Sequence, residues 1–182
     1  MNFRIAALNI YLPQFLKVKK LNELFSVTAD AFQTPAASVA GLPFERALKA
    51  YVTFTRDASL QHLNRNGDVE LVRRRMYEGA CRMGAAIRGE LRIKDFAQAM
   101  KAARLLYRAI GIDFHGNERG EIVINACYFS RFYTGGICRF ISTLDEGLIA
   151  GLSGGGHLTF LKRITEGDTC CLGIIERGSE HE

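Results

Sequence analysis

The stretch GIDFHGNERGEIVINACYF, residues 111–129, decides the fold. Ahead of it, apolar residues recur at three- and four-residue intervals, the mark of helices with one buried stripe. Within it the period changes. Residues 112–114 and 121–129 are short β-rich runs, separated by the polar, turn-forming loop His115-Gly116-Asn117-Glu118-Arg119-Gly120, and they predict a hairpin.

Working outward toward the N-terminus, four helices are expected. Over residues 12–32, Phe15, Leu21, Leu24, Phe25, Thr28 and Phe32 form a stripe. A second helix starts near Pro43, whose fixed φ suits a first turn, and carries Phe44, Leu48, Tyr51, Val52 and Thr55 on one side. Residues 64–67 read as a break. Helices over residues 68–91 and 95–110 follow, the latter with Phe96, Met100, Ala103 and Tyr107 along one face.

Toward the C-terminus, residues 157–165 and 169–176 form a second strand pair around Glu166-Gly167-Asp168. One more helix is expected over residues 138–152, between the hairpins, and it ends in Ser153-Gly154-Gly155-Gly156. Helices first and strands later predict an α+β fold. A helical layer over residues 1–110 should precede a four-stranded antiparallel sheet over residues 111–178, with a helix inserted between two hairpins. At 182 residues and 48% hydrophobic content, one domain spanning the chain is the default.

Composition narrows the partners. The formal charge is +5, but 24 basic residues are interspersed with 19 acidic ones. The densest cluster, Arg73-Arg74-Arg75 with Arg82, Arg88 and Arg92 behind it, reads as a solvated helix face, so no nucleic-acid partner is expected. Residues 1–12 are too mixed for a secretory segment, and no apolar run approaches the roughly 20 residues of a membrane span. A cytoplasmic protein with no membrane partner is expected. Five cysteines, an odd set, are expected as free thiols. The sequence leaves a homodimer open.

The helix around residue 138 carries the most chemistry. At about 100° per residue, Cys138, Ile141, Ser142, Asp145, Ile149 and Leu152 share one side. The Asp145 carboxylate thus lies in an apolar stripe and needs a partner. Gly147 and Gly151, on the opposite side, leave the backbone bare for close approach of another element. Cys138 sits near the helix start, where the macrodipole and free N–H groups favour a thiolate nucleophile. A small buried hydrophobe is the other reading of the same residue.

On the strand, strict alternation places Asn125 and Cys127 on one face, where they could line a pocket. The adjacent Cys170 and Cys171 must face opposite sides, so at most one can point at a given site; Cys171 is the candidate named, with Cys170 the alternative. Arg163 is a candidate clamp for a substrate carboxylate. Glu166, beside the tight turn, and His157, at the entry of its strand, complete the candidate binding set; both also fit ordinary turn and strand-entry roles. Ten residues separate Cys127 from Cys138, which is not the paired spacing of structural zinc, so no metal is expected. His62, His115 and His181 lie apart from these residues. The glycines after residue 146 follow a helix rather than a strand and lack Gly-Lys-Ser/Thr, so no nucleotide and no other cofactor is expected.

Cys127-Tyr128-Phe129-Ser130, Cys138, Ser142-Thr143-Leu144-Asp145-Glu146-Gly147, Gly151-Leu152 and Glu166-Gly167-Asp168-Thr169-Cys170-Cys171 together carry a resemblance. The chain resembles the L-2-amino-thiazoline-4-carboxylic acid hydrolase family, over roughly its last 60 residues. It is more distantly similar to vinyl-reductase-type small-molecule-binding domains. In some sensors of that type a zinc ion is held by a cysteine before the glycine-rich helix, a Glu-x-x-Cys pair on the next strand and a cysteine after the final Gly-Asp. Here the pair positions fall near Phe160 and Arg163, which leaves the ligand set incomplete.

The resemblance implies hydrolytic opening of a small cyclic amidine-like ring bearing a carboxylate. In that reading Cys138 or Cys127 attacks the ring carbon, Asp145 handles protons and Arg163 holds the carboxylate. The alternative is a non-catalytic sensor or carrier with the cysteines as walls of an apolar pocket.

Overall fold

The computed structural model of the chain describes residues 4–5, 13–35, 39, 41–64 and 68–177. The expected break at residues 64–67, the reading of residues 1–12 and His181 lie wholly or mostly outside these residues.

Each expected helix forms with most of its stripe buried; Phe15, expected on the first stripe, is instead 70% exposed. Helix α1 (Gln14–Ala31) buries Leu21, Phe25, Thr28 and Ala29. Helix α2 (Phe44–Asn64) follows Pro43 and buries Ala47, Leu48, Tyr51, Val52 and Thr55. Helix α3 (Val69–Leu91) begins at Asp68, whose carboxylate accepts from the Leu71 N–H at 2.9 Å, and ends in a left-handed turn at Arg92. Helix α4 (Phe96–Ala109) is capped by Asp95, which accepts from the Gln98 N–H at 2.8 Å, while the Gln98 side chain reaches back to the Lys94 N–H.

Four strands follow: β1 (Ile112–Gly116), β2 (Glu121–Cys127), β3 (His157–Lys162) and β4 (Cys171–Glu176). They pair antiparallel in the order β1-β2-β4-β3, so two hairpins join through β2 and β4. The fold is α+β as expected. Phe114, Ile122, Leu158 and Ile175 face a buried cluster that also takes in Phe25, Tyr51, Met76 and Ile149 from the helices.

The inserted segment departs from the single helix expected over residues 138–152. It is two helices, α5 (Gly135–Ile141) and α6 (Thr143–Ser153), meeting at Ser142. Ser142 Oγ donates to the Arg139 carbonyl at 3.0 Å, a local side-chain bond that competes with a continuous helical ladder. Ser142, at φ −62° and ψ −9°, separates the Cys138 segment from the Asp145 segment. Three strands, β2, β3 and β4, are shorter than expected, while β1 is longer and takes in His115 and Gly116, which were expected in the loop. After β2, residues Tyr128–Arg131 turn into a 3₁₀ helix, and after β3 a second short one, Ile164–Glu166, leads to Gly167 at φ 98°.

Helix α6 is held against α3 at very short range. A Cβ on Gly151 would lie 2.1 Å from the Cys81 carbonyl oxygen, and one on Gly147 would lie 2.3 Å from that of Tyr77. Gly84 of α3 answers from the other side, 2.4 Å from the Leu148 oxygen. Only glycine allows this backbone contact, and it realises the approach expected from Gly147 and Gly151. Arg88 Nη1 then donates to the Leu152 carbonyl at 2.9 Å and closes the end of α6.

Candidate functional site

Helices α1, α3, α4 and α6, with the end of β2, surround a partly open cavity of about 240 Å³. That is at the small end of ordinary ligand pockets. Its walls are mainly aliphatic, including Leu24, Ile87, Leu105, Leu106, Leu144 and Leu148. Lys17, Lys20 and Glu90 form the charged part of its lining on α1 and α3, where Lys17 and Lys20 are half-buried and Glu90 is exposed. Cys127, Cys138, Ser142, Asp145 and three tyrosines supply the remaining polar lining.

Asp145 is half-buried in the cavity wall, and burial pushes its carboxyl up to about 6. The Tyr107 hydroxyl, donating to Oδ1 at 2.8 Å, and the Arg163 charge oppose that rise, while Glu146 adds to it. Among the described residues Oδ2 has no hydrogen-bond donor. Tyr107 in turn stacks on Phe114 with ring centroids 4.8 Å apart, which fixes the direction of its hydroxyl. The other two tyrosines are spoken for: Tyr51 pairs with the Thr28 hydroxyl at 3.1 Å, and Tyr133 bonds the Thr55 hydroxyl.

Cys127 and Cys138 reach the cavity from different elements. The Cys127 thiol is pushed up to about 12, chiefly by burial, so at neutral pH it is a neutral wall rather than a nucleophile. Cys138 lies in the first turn of α5, whose N-cap Thr134 accepts from the Ile137 N–H. Arg163 Nη1 is 3.7 Å from its sulfur, and Arg163 Nη2 donates to Ser142 Oγ at 3.1 Å.

Arg163 itself does not line the cavity. Its side chain is 12% exposed, lies over the Phe160 ring at 4.4 Å and has Glu166 Oε1 at 3.8 Å from Nε. It braces the Cys138 and Ser142 corner from behind. Glu166 is engaged mainly outward, with Arg139 Nε at 2.9 Å. Cys171 is buried behind the same corner, where its sulfur accepts from the Ile164 N–H at 3.4 Å, and burial raises its thiol.

Asn125 and His157 are not brought to the cavity. Asn125 is exposed and donates to Asp113 Oδ2 at 3.2 Å. Strict alternation would have kept it on the face of Cys127, but β2 carries an irregularity: Phe114 pairs with Ile124, whereas Ile112 pairs with Cys127. Two steps on β1 match three on β2, a bulge that turns Cys127 inward with Ile122 and Ile124 and leaves Asn125 outside. His157 opens β3 exposed to solvent, opposite Glu176.

The residue that the sequence reading did not assign to the site is Tyr107. It stood on the expected buried stripe of α4, and an aromatic hydroxyl in such a stripe needs a polar partner, as does a carboxylate in the stripe of α6. Those two requirements answer each other. Among the described residues no group of three or more His, Cys, Asp or Glu side chains is placed to hold a metal. The Phe160 and Arg163 positions are instead occupied by a cation–π pair. Among the described residues no helix is long and apolar enough to cross a membrane.

Comparison with protein-family models, with curated proteins and with solved structures returns no match to this chain.

Proposed function

We propose that this chain binds a small, mainly apolar molecule in the cavity between α1, α3, α4 and α6, as a sensor or carrier domain. The observation that carries this reading is the cavity itself, with aliphatic walls and one half-buried carboxyl. A partly open cavity of mainly aliphatic lining favours an apolar ligand, because burying that surface removes it from water. The three tyrosines at the cavity are engaged by Thr28, Thr55 and Asp145, and Cys138 and Ser142 by Arg163, which suits recognition better than turnover.

The test uses a filled cavity. Octanol, an uncharged apolar probe, should raise the melting temperature of the native chain in a dose-dependent way. Leu148→Trp, which projects bulk into the same space, should abolish that rise while leaving the far-ultraviolet circular dichroism unchanged. An equal rise in both proteins would place the probe elsewhere and sink the reading.

One observation favours a second reading, the ring-opening hydrolase: Arg163 beside the Cys138 sulfur offers a counter-charge to a thiolate. In that chemistry the Cys138 sulfur adds to the amidine carbon as its C=N π bond opens onto nitrogen and the thiol proton passes to the Asp145 carboxylate. The C=N bond re-forms as the ring carbon–sulfur bond breaks and the departing sulfur takes the proton from Asp145. Water then adds to the same carbon and expels Cys138 as the thiol. A carboxyl near 6 is suited to accept and return a proton at neutral pH. Cys138→Ser separates the readings. An enzyme loses turnover of a thiazoline carboxylate and keeps affinity for it, whereas a carrier has no turnover to lose.

A further inference from the structure

We infer that the ligand is an organic ammonium, an apolar body whose cationic N–H head seats on Asp145 Oδ2. This rests on the small-molecule reading above and adds the chemistry of the head group.

Three features of the cavity lead there. Asp145 keeps one oxygen for Tyr107, and among the described residues nothing donates to the other. A half-buried carboxylate that opens one acceptor into a mainly aliphatic cavity is placed to take a donor with a positive charge. Secondly, the nearby cation is not free to answer it from inside the cavity. Arg163 acts on Asp145 only through its field, its donors directed to Cys138, Ser142 and Glu166 and its plane laid over Phe160.

The third feature is the distribution of the remaining charge. Lys20 is paired with Glu23 at 2.9 Å and with Glu90 at 3.1 Å, and Lys17 rests over the Phe44 ring at 5.5 Å. None of these three cavity-lining charges, Lys17, Lys20 and Glu90, is among the groups that shift Asp145. A ligand carboxylate placed at the Asp145 end would meet a like charge with no cation in the wall between them. An alcohol would satisfy Oδ2 and leave the charge uncompensated. An ammonium does both. The apolar body then lies along Leu105, Leu106 and Leu148.

Calorimetric titration at pH 7.5 with octylamine, octanol and octanoate tests this on the full chain. The three share one tail and differ in the head. Octylammonium should bind about tenfold or more tighter than octanol, the gain of a charge-assisted hydrogen bond, and octanoate should bind weakest. In Asp145→Asn the amine should lose that preference and bind no tighter than octanol, while octanol, held mainly by its tail, should still bind, which also shows that the variant is folded. Octanoate binding as tightly as the amine, or an amine no tighter than octanol, overturns the head-group assignment while leaving the apolar cavity in place. If none of the three binds the native chain, the cavity reading falls and the ammonium falls with it.

Discussion

The Tyr107 hydroxyl holds Asp145 Oδ1 at 2.8 Å, and so ties α4 to α6 at the carboxyl that faces the cavity. Burial raises the carboxyl to about 6, and burial together with the Asp145 charge raises the tyrosine. Each group would be expensive to enclose alone. As a pair they keep a polar point inside an otherwise aliphatic chamber, and the pair remains responsive to whatever enters it.

Asp145→Asn should therefore stabilise the fold near neutral pH. The native carboxyl sits near 6 when folded and near 3.8, its ordinary value, when unfolded. Between those values the folded chain holds the proton more tightly, so native stability falls as pH rises through the window. Above about pH 6 the full penalty applies, at most about 3 kcal/mol from a shift of roughly two units. Paired denaturation curves should show the Asp145→Asn variant more stable than the native chain at pH 7.5 by one to a few kcal/mol, on the order set by that shift, with the gap closing toward pH 4. A gap that widens as pH falls would reverse the assignment.

Tyr107→Phe should act in the opposite sense. It removes the donor to Oδ1 and leaves a carboxylate without one, at a cost of about 1.5–3 kcal/mol where Asp145 is ionised. Below about pH 6 the carboxyl is protonated, and the cost should shrink. Denaturation midpoints for the native and Tyr107→Phe proteins at pH 5 and pH 7.5 provide the check; a cost independent of pH would mean that Tyr107 contributes packing alone.

How much of this was legible in the sequence follows from which signals are local. The helix stripes and the change of period after Gly111 depend on neighbouring residues, and they led to the α+β order directly. Cys138, Ser142 and Asp145 could be grouped because they lie within eight positions of one another on a helical spacing. The break between α5 and α6 at Ser142 was not visible, because a serine continues a helix as readily as it interrupts one until its hydroxyl finds the Arg139 carbonyl. The face of Cys127 was misread for a related reason. Alternation counts residues, and the bulge in β2 adds one that only the pairing with β1 reveals. Tyr107 and Asp145 stand 38 positions apart, and no spacing rule joins them.

The glycines of α3 and α6 should divide sharply. Gly151→Ala places a methyl group 2.1 Å from the Cys81 oxygen, backbone that has no rotamer in which to yield. The helices must separate, at about 3 kcal/mol or more. Gly89, in the last turns of α3, has nothing within 4 Å of an added Cβ and no left-handed φ. Gly89→Ala should stabilise by about 0.5–1 kcal/mol through helix propensity. Chemical denaturation of the two variants reads both signs at once, and a Gly151→Ala protein of native stability would contradict the close α3–α6 contact.

The thiols give the final prediction, because two of them face the cavity under different conditions. Cys127 is held near 12 by burial, so at pH 7.5 its thiolate fraction is on the order of one in ten thousand or less. It should resist iodoacetamide even in an empty cavity. Cys138 is half-buried, lines the cavity and has Arg163 at 3.7 Å, so access to its sulfur depends on whether the cavity is filled. Octanol should protect Cys138 from alkylation without changing the labelling of Cys81 and Cys170, which are outside the lining and serve as internal standards. Residue-resolved mass spectrometry after timed labelling distinguishes all four. Rapid labelling of Cys127 would contradict its enclosure as a neutral thiol, and labelling of Cys138 that ignores octanol would remove it from the occupied part of the cavity.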